Sequence, residues 1–374
     1  MPYYIKRHYI AIMHTLIYVG EKMDTVTAFL KRKNIEISAK RYLIDALGAM
    51  AQGLFCSLLI GTIINTIGSQ FGIEYLTTVG GFATAMSGPA MAVAIGYALQ
   101  CPPLVLFSLI AVGSAANGLG GAGGPLAVLV IAIIAAEFGK AVSKETKIDI
   151  LVTPAVTIFV GVVLSSLIAP PIGAAASSVG QLIMWATELQ PFLMGILVSA
   201  IVGIALTLPI SSAAICAALG LTGLAGGAAV AGCCAQMVGF AIMSFRENKW
   251  GGLVSQGIGT SMLQMGNIVR NPKIWIAPIL TSMITGPIAT CIFHLEMNGS
   301  SVSSGMGTCG LVGQIGVYTG WVADVAAGTK SAITAFDWLG LLLICFILPA
   351  VLTYFFGQIE RKLGWIKDGD LTLN

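Results

Sequence analysis

Charged side chains are scarce in this sequence. Asp, Glu, Lys and Arg make up 9% of its 374 residues, whereas soluble globular domains carry about 25%. Because a helix needs about 20 apolar residues to cross a bilayer, any longer stretch without charge can hold one or more crossings. Residues 75–136, 150–187 and 189–245 contain no Asp, Glu, Lys, Arg or His. This excludes an ordinary soluble domain and indicates an integral membrane protein whose main partner is the lipid bilayer.

The residue patterns of metal sites and of hydrolytic catalysis are also missing. The eight cysteines show no C-x-x-C spacing and lie in or beside apolar segments, where Cys usually packs as a small hydrophobic residue. The three histidines have no clustered carboxylates near them, and no Ser-His-Asp or Cys-His arrangement stands out. The sequence therefore predicts no metal, no cofactor and no catalytic residue. Its net charge of +3 is too small to indicate a nucleic acid partner.

Basic residues gather near the two ends of the chain. Lys and Arg are frequent in residues 1–41 and return at Arg361, Lys362 and Lys367. The positive-inside rule then predicts a multi-pass protein of the cell membrane with both termini in the cytoplasm and an even number of crossings. Residues 1–40 are expected to form a cytoplasmic amphipathic helix, since they lack the cleavage site of a signal peptide. Residues 367–374 are expected to form a cytoplasmic tail.

Apolar segments separated by Gly, Pro and polar residues predict an all-α polytopic membrane protein with about ten transmembrane helices. A shift of about 125 residues pairs "SGPAMAVAIG" with "SSAAICAALG". Further weak matches keep the same order, which favours two repeated, inverted halves at 41–188 and 189–366 with re-entrant glycine-rich hairpins. The segments 104–116 and 125–139 are each too short to cross, so they form either tilted half-helices or one hairpin. Segment 150–172 is expected to cross and to end at Pro170 and Pro171.

The stretch "NGLGGAGGP" (117–125) contains a literal G-x-G-x-x-G. A dinucleotide-binding turn would need a soluble βαβ unit, and the next acidic residue, Glu137, lies inside an apolar segment. At membrane depth, non-helical backbone is tolerated only where it is buried in protein or faces water. We expect a loop that presents N–H groups to a polar solute; the alternative is that the glycines allow close helix packing. The candidate residues are Asn117, Gly118, Gly120, Gly121 and Gly123.

A proline interrupts the apolar segment "LTLPISSAAI" (206–215). Pro209 lacks a backbone N–H and would leave a carbonyl unpaired near Thr207, beside the hydroxyls of Ser211 and Ser212. A broken helix of this kind can turn its positive end toward a solute, although a simple proline kink fits equally well. Gln236, in "CCAQMVGF", is a single polar group that suits either a binding site or helix packing.

Segment 251–269 carries polar, uncharged residues at helical spacing. Gln256, Thr260, Gln264 and Asn267 fall at i, i+4, i+8 and i+11, which places them on one face of a helix. Amides and hydroxyls without net charge suit a sugar-like solute. The alternative is hydrogen bonding between neighbouring helices.

The polar stretch "NGSSVSSGMGTCG" (298–310) predicts a re-entrant loop paired with the first glycine stretch. Ionisable residues inside membrane segments are functional by default. Glu137 is one, although Lys140 lies three residues further on and fits an interfacial ion pair equally well. The candidates for solute contact are Asn298, Ser300 and Thr308, and those for energy coupling are Glu137, His294 and Glu296.

Several long blocks of the sequence resemble one membrane family. They include "ALGAMAQGLFCSLLIGTII", "NGLGGAGGPLAVL", "QPFLMGILVSAIVGIALTLPISSAAI" and "NPKIWIAPILTSMITGPIAT", and they run in order over about residues 40–360. The family is the phosphotransferase-system IIC-like group that includes proteins named as toxin (perfringolysin O) regulators. The resemblance implies two repeated halves, a solute site between re-entrant hairpins, and a homodimer. Because the sequence shows no soluble domain, any IIA and IIB phosphoryl donors are expected to be separate proteins.

These observations favour a transporter of a small polar, sugar-like solute that works by alternating access. The chain is at most the membrane component of a phosphotransferase system. The rival interpretation is a membrane-bound regulator or sensor that binds a ligand or partner without transport. Only the N-terminal 40 residues and the short C-terminal segment offer such a regulator a docking surface.

Overall fold

The structure is a computed structural model that describes residues 27–373. Within those residues the chain is helical, and its one strand-like contact is an isolated bridge between Gly223 and Met297. The all-α membrane fold expected from the hydropathy is therefore confirmed. Most of the N-terminal segment predicted to be amphipathic lies outside the described residues.

The helices are numbered here in chain order, and several follow one another through short turns. They are α1 Arg41–Phe71, α2 Glu74–Ala85, α3 Ser87–Ala98, α4 Pro103–Gly120, α5 Gly124–Val142, α6 Asp149–Thr187, α7 Pro191–Thr207, α8 Ser212–Ala218, α9 Gly223–Met243, α10 Phe245–Val254, α11 Met265–Arg270, α12 Pro272–Ile292, α13 Ser301–Ser304, α14 Val312–Ala326 and α15 Ala335–Lys362.

Six helical segments of the described chain are long and apolar enough to cross a membrane. By length and composition alone they are α1, the α4–α5 segment, α6, α9, α12 and α15, although α4 and α5 fold back on each other as described below. The pair α2–α3, bent by 46°, adds a seventh if it is counted as one span. The expected number of about ten crossings is not confirmed, because parts of the predicted segments form shorter helices. The repeat of two inverted halves stays a prediction.

Helices α4 and α5 fold back on each other as a hairpin. Lys140, near the end of α5, donates a hydrogen bond from Nζ to the carbonyl of Leu99, just before α4 begins (3.2 Å). A Cβ added to Gly139 in α5 would touch Val105 in α4. The chain therefore returns to the face from which it entered, and a tight turn at Gly121–Gly123 forms the tip. Of the two arrangements that the sequence leaves open, the structure has the hairpin.

Helices α7 and α8 form a second hairpin, which enters from the other side. The Thr290 hydroxyl donates to the carbonyl of Pro191, where α7 begins (2.8 Å). Gly223, which follows α8, pairs with Met297, and Met297 lies seven residues after Thr290. Both ends of this pair thus lie at one face, with the non-helical residues 208–211 as its tip. The predicted break at Pro209 is confirmed.

Helix α6 does not end at its proline pair. It runs for 39 residues and contains Pro154, Pro170 and Pro171 in its interior, so the predicted end of this segment is wrong. A proline frees one carbonyl of the preceding turn, but transmembrane helices tolerate this where neighbouring groups satisfy the backbone. The tip of the α4–α5 hairpin packs here, since a Cβ on Gly123 would lie 2.7 Å from the carbonyl oxygen of Ile172.

The bundle has one strongly basic face. Arg32 and Lys33 pair there with Glu145, and the hydrogen bond from Lys33 lowers the pKa of this carboxyl. Arg361, at the end of α15, pairs with Glu247 in α10 (2.8 Å). The start of α1, the base of the α4–α5 hairpin and residues 371–373 all lie at this face.

The opposite face carries acidic residues instead. Glu296 and Asp324 lie there, together with Asp337 at the start of α15. Among the Lys and Arg side chains of the described residues, Lys330 alone lies at this face, where it pairs with Asp337 (2.8 Å). The two faces are called the basic face and the opposite face below.

Candidate functional site

The tips of the two hairpins meet inside the bundle. The backbone N–H of Ser211, in the tip of the α7–α8 hairpin, donates to the carbonyl of Ala122 in the tip of the α4–α5 hairpin (2.9 Å). The Ser212 hydroxyl donates to the carbonyl of Gly305 (2.7 Å), which follows α13. Three of the segments singled out from the sequence are therefore neighbours. The proline break lies between the glycine stretch and the 298–310 stretch.

The glycine stretch is mostly helical, and this corrects the expected loop. Helix α4 continues to Gly120, so Asn117 and Gly118 lie on a helix, and Gly121–Gly123 form a single tight turn. Gly121 has φ +51° and ψ −123°, a conformation that favours glycine. Asn117 donates from Nδ2 to the Ser87 hydroxyl in α3 (3.4 Å). This contact anchors the hairpin to α3.

A cluster of buried polar side chains lies beside the tips. The hydroxyls of Thr207 and Ser261 are 2.8 Å apart, and Thr207 also donates to Oε1 of Gln236 (3.3 Å). Trp275 donates to the same Oε1 from Nε1 (2.8 Å). Thr207, Gln236 and Ser261 are each 0% exposed. We call Thr207, Gln236, Ser261 and Trp275 the central cluster.

The amide nitrogen of Gln236 has no hydrogen-bond partner within the described residues. Trp275 can only donate, so the carboxamide oxygen must face it and the orientation of the amide is fixed. A buried donor without a partner is unfavourable by about 1–3 kcal/mol. The Gln236 amide thus offers a donor to any polar group that reaches the cluster.

The predicted polar stripe does not lie on one regular helix. A wide turn at Ser255–Gly259 is followed by extended backbone at Thr260 (φ −157°, ψ 142°), a tight turn at Ser261–Gln264 and helix α11. The expected helical face is therefore wrong. Thr260 does not join the other three polar residues of the stripe, because its hydroxyl accepts from the N–H of Met262 (3.1 Å).

The three amides of the stripe nevertheless join into one buried row. Gln264 donates to Oε1 of Gln256 and Asn267 donates to Oε1 of Gln264, both at 2.8 Å. Gln256 donates in turn to the Ser244 hydroxyl (2.8 Å). All three amides are at most 5% exposed. We call Gln256, Gln264 and Asn267 the amide row; it lies at the basic face.

Residues 371–373 lie across the amide row. Gln264 and Asn267 donate to the carbonyls of Leu371 and Thr372, both at 2.9 Å. A cavity of about 620 Å³ lies on one side of this segment and a cavity of about 250 Å³ on the other. The amides thus bind backbone oxygens of the chain itself.

A third polar group lies at the opposite face. Asn298 accepts from the N–H of Gly223 (3.1 Å) and donates to Glu296 (3.0 Å) and to Asp324 (2.8 Å). A cavity of about 490 Å³ is lined by Asn298, Glu296 and Asp324, together with His294. Two other candidates of the stretch lie elsewhere. The Ser300 carbonyl accepts from the N–H of Ser303 at α13, and Thr308 contacts Met237 in the interior.

Glu137 forms an ion pair. Its Oε2 lies 2.8 Å from Nζ of Lys140, and its Oε1 accepts from the hydroxyl of Tyr42 (3.1 Å). Lys140 is 1% exposed and also donates to the carbonyls of Asn34 and Leu99. The pair joins the base of the α4–α5 hairpin to the residues that precede α1.

Replacing Lys140 by Met should therefore lower the free energy of unfolding by about 3 kcal/mol, because it leaves a mostly buried carboxylate unpaired. Thermal unfolding in detergent measures the loss. The double variant Lys140→Met/Glu137→Gln should recover part of it. Additive effects of the two single variants would contradict a coupled pair.

Sequence reasoning missed several of these contacts. Ser261 and Trp275 complete the central cluster, but neither belongs to a recognisable pattern. The segment 371–373 contacts the amide row through main-chain carbonyls. Every residue type has such a carbonyl, so the amino-acid sequence of the segment does not predict the contact. The one sequence feature that could have indicated Ser261 as a site residue is its position next to Thr260, which was already a candidate.

The family comparison agrees with this architecture. The sequence profile described as "Phosphotransferase system, EIIC" matches residues 44–373, a range that includes both hairpins, the central cluster and the amide row. No curated protein and no solved structure matches the sequence. The chain belongs to the phosphotransferase-system EIIC family, whose members are membrane permease components of sugar transport systems.

Proposed function

We propose that this protein carries a small, uncharged, sugar-like solute across the membrane by alternating access, with the solute bound at the central cluster. The observation that carries the proposal is the meeting of two hairpins, one from each face, at Ser211 and Ala122. Broken helices that meet at mid-membrane are where transporters of repeated architecture bind their solutes.

The chemistry of the central cluster supports a neutral solute. Its hydrogen-bonding members are hydroxyl, amide and indole groups, and none of them carries a charge. The unpaired N–H group of Gln236 can donate to a sugar hydroxyl, and the hydroxyls of Thr207 and Ser261 can both donate and accept. A charged solute would find no counter-ion among these residues.

The two faces support an orientation. Lys and Arg collect at the basic face, and the positive-inside rule assigns such a face to the cytoplasm. The C-terminal segment would then be cytoplasmic. Separate IIA and IIB proteins, if they act on this chain, would dock at the same face.

Gln236→Leu tests the central cluster. We expect uptake of a neutral sugar into proteoliposomes to fall about 10-fold or more, because a hydrogen-bond donor is lost from a buried site. The sugar is chosen by thermal shift, in which a ligand at 100 times its Kd adds about 2.7 kcal/mol of stability. Gln314→Leu is the matched control, since Gln314 is also a buried amide but contacts Cys234, on another side of α9. Equal uptake by the Gln236→Leu variant and the wild type would reject the assignment.

A further inference from the structure

We propose that residues 371–373 are a tethered plug in a solute vestibule at the basic face, so that a solute reaches the amide row only when the segment leaves. The inference rests on the proposed function, because the vestibule is taken to lie on the route to the central cluster. The central cluster and the amide row are close to each other along the chain. Ser261 of the central cluster and Gln264 of the amide row begin and end the same tight turn.

The segment is held in the vestibule by main-chain atoms. Its carbonyls at Leu371 and Thr372 accept from Gln264 and Asn267 (both 2.9 Å). Asn248 completes the set, since it donates to the carbonyl of Leu371 and accepts from the N–H of Leu373 (both 2.8 Å). If the segment leaves, three amide side chains lose an oxygen partner. Such donors suit another uncharged molecule that carries hydroxyl or carbonyl oxygens.

The segment borders open space on its path, while the Leu371 side chain alone packs into the hydrophobic core. The cavities of about 620 and 250 Å³ are both lined by Leu263, Thr372 and Leu373, so the segment divides one larger space. Cavities that hold small molecules measure about 300–1,000 Å³.

The segment is anchored outside the vestibule as well as inside it. Asn271 donates to the carbonyl of Trp365 and to the carboxylate of Asp370, both at 2.9 Å, and it lines neither cavity. The side chain of Leu371 is 0% exposed. Asn271 also accepts from the N–H of Lys273 (3.3 Å), but its side chain contacts neither the amide row nor the cavity walls, so the anchor can be weakened from outside the vestibule.

The test measures how fast a membrane-impermeant thiosulfonate reagent labels Leu263→Cys, a reporter on the wall shared by both cavities. In the full chain we expect slow labelling. In a chain that ends at Asp370 it should be more than about 10-fold faster. Adding Asn271→Ala to the full chain should give about a 10-fold increase, because the side-chain hydrogen bonds from Asn271 to Trp365 and Asp370 are lost. The extent of labelling at each cysteine is read by mass spectrometry.

Cys291, an exposed residue at the far end of α12, is the internal control and should react at one rate in all three proteins. If the shortened chain fails to fold, the labelling rate in the Asn271→Ala variant alone tests the proposal. Equal labelling of the reporter in the full chain and in the Asn271→Ala variant would overturn the plug. No solute is needed, so this result is independent of uptake by the Gln236→Leu variant.

Discussion

Gly123→Val is expected to abolish solute uptake, whereas Gly118→Val should leave it close to the wild-type rate. The two glycines lie five residues apart in the same motif, but their surroundings differ. A Cβ on Gly123 would lie 2.7 Å from the carbonyl oxygen of Ile172 and 2.9 Å from its carbon, whereas a Cβ on Gly118 meets nothing within 4 Å. Valine at position 123 therefore forces the hairpin tip away from α6.

Displacement of the tip should separate the Ala122 carbonyl from the N–H of Ser211 and disturb the neighbouring central cluster. We expect uptake to fall by more than about 10-fold, since a bound group misplaced by about 1 Å can lower a rate about 100-fold. Initial uptake rates in proteoliposomes, at matched protein incorporation, give the comparison. Near-normal uptake by a folded Gly123→Val protein would show that the tip is not part of the solute site.

Gly232→Ala is expected to cause a large loss of stability. Gly232 lies at mid-length in α9, where an added Cβ would overlap the carbonyl of Ser199 in α7. Ser199 in turn donates to the carbonyl of Ser282 in α12 (2.7 Å). Overfilling a packed interior typically destabilises by about 1–3 kcal/mol, and here the clash is with backbone, which cannot rotate away.

We therefore expect the free energy of unfolding to fall by about 3 kcal/mol, measured as a lower Tm in detergent. Gly81→Ala is the control, because Gly81 lies in the helix α2 and an added Cβ would meet nothing within 4 Å. Alanine is the better helix former by roughly 0.5–1 kcal/mol, so the control should be neutral or slightly stabilising. Equal melting temperatures of the two variants would contradict close packing of α7 against α9.

The hydropathy predicted most of the fold because a bilayer allows few solutions. Backbone that lies in hydrocarbon must be hydrogen-bonded internally, so long uncharged stretches can only be helices. The same rule limited the glycine stretch to a tight turn between helices. What it could not predict is the path at Pro170 and Pro171, since a proline ends a helix only where nothing else satisfies the freed carbonyls.

Helical spacing singled out the members of the amide row, but it did not predict how they are grouped. The stripe from Gln256 to Asn267 was found by helical spacing, yet the chain there bends through two turns and extended backbone at Thr260. The amides meet through tertiary contacts that spacing does not describe. Trp275 and the segment 371–373 lie far along the chain from their partners, and no local pattern connects them.

Among the described residues, one main-chain hydrogen bond joins the two hairpin tips, and it bears on how readily they could separate in the proposed transport cycle. One hydrogen bond contributes about 1 kcal/mol net, which corresponds to roughly a fivefold population ratio. In the proposed transport cycle this bond is a weak latch, which acts beside the packing of Ala122 against the neighbouring core. Because it joins backbone atoms at Ser211 and Ala122, substitutions at these two positions can alter solute preference without removing the latch. For the proposed transporter, the side chains at the tips could thus diversify in solute specificity while the bond between the tips is kept.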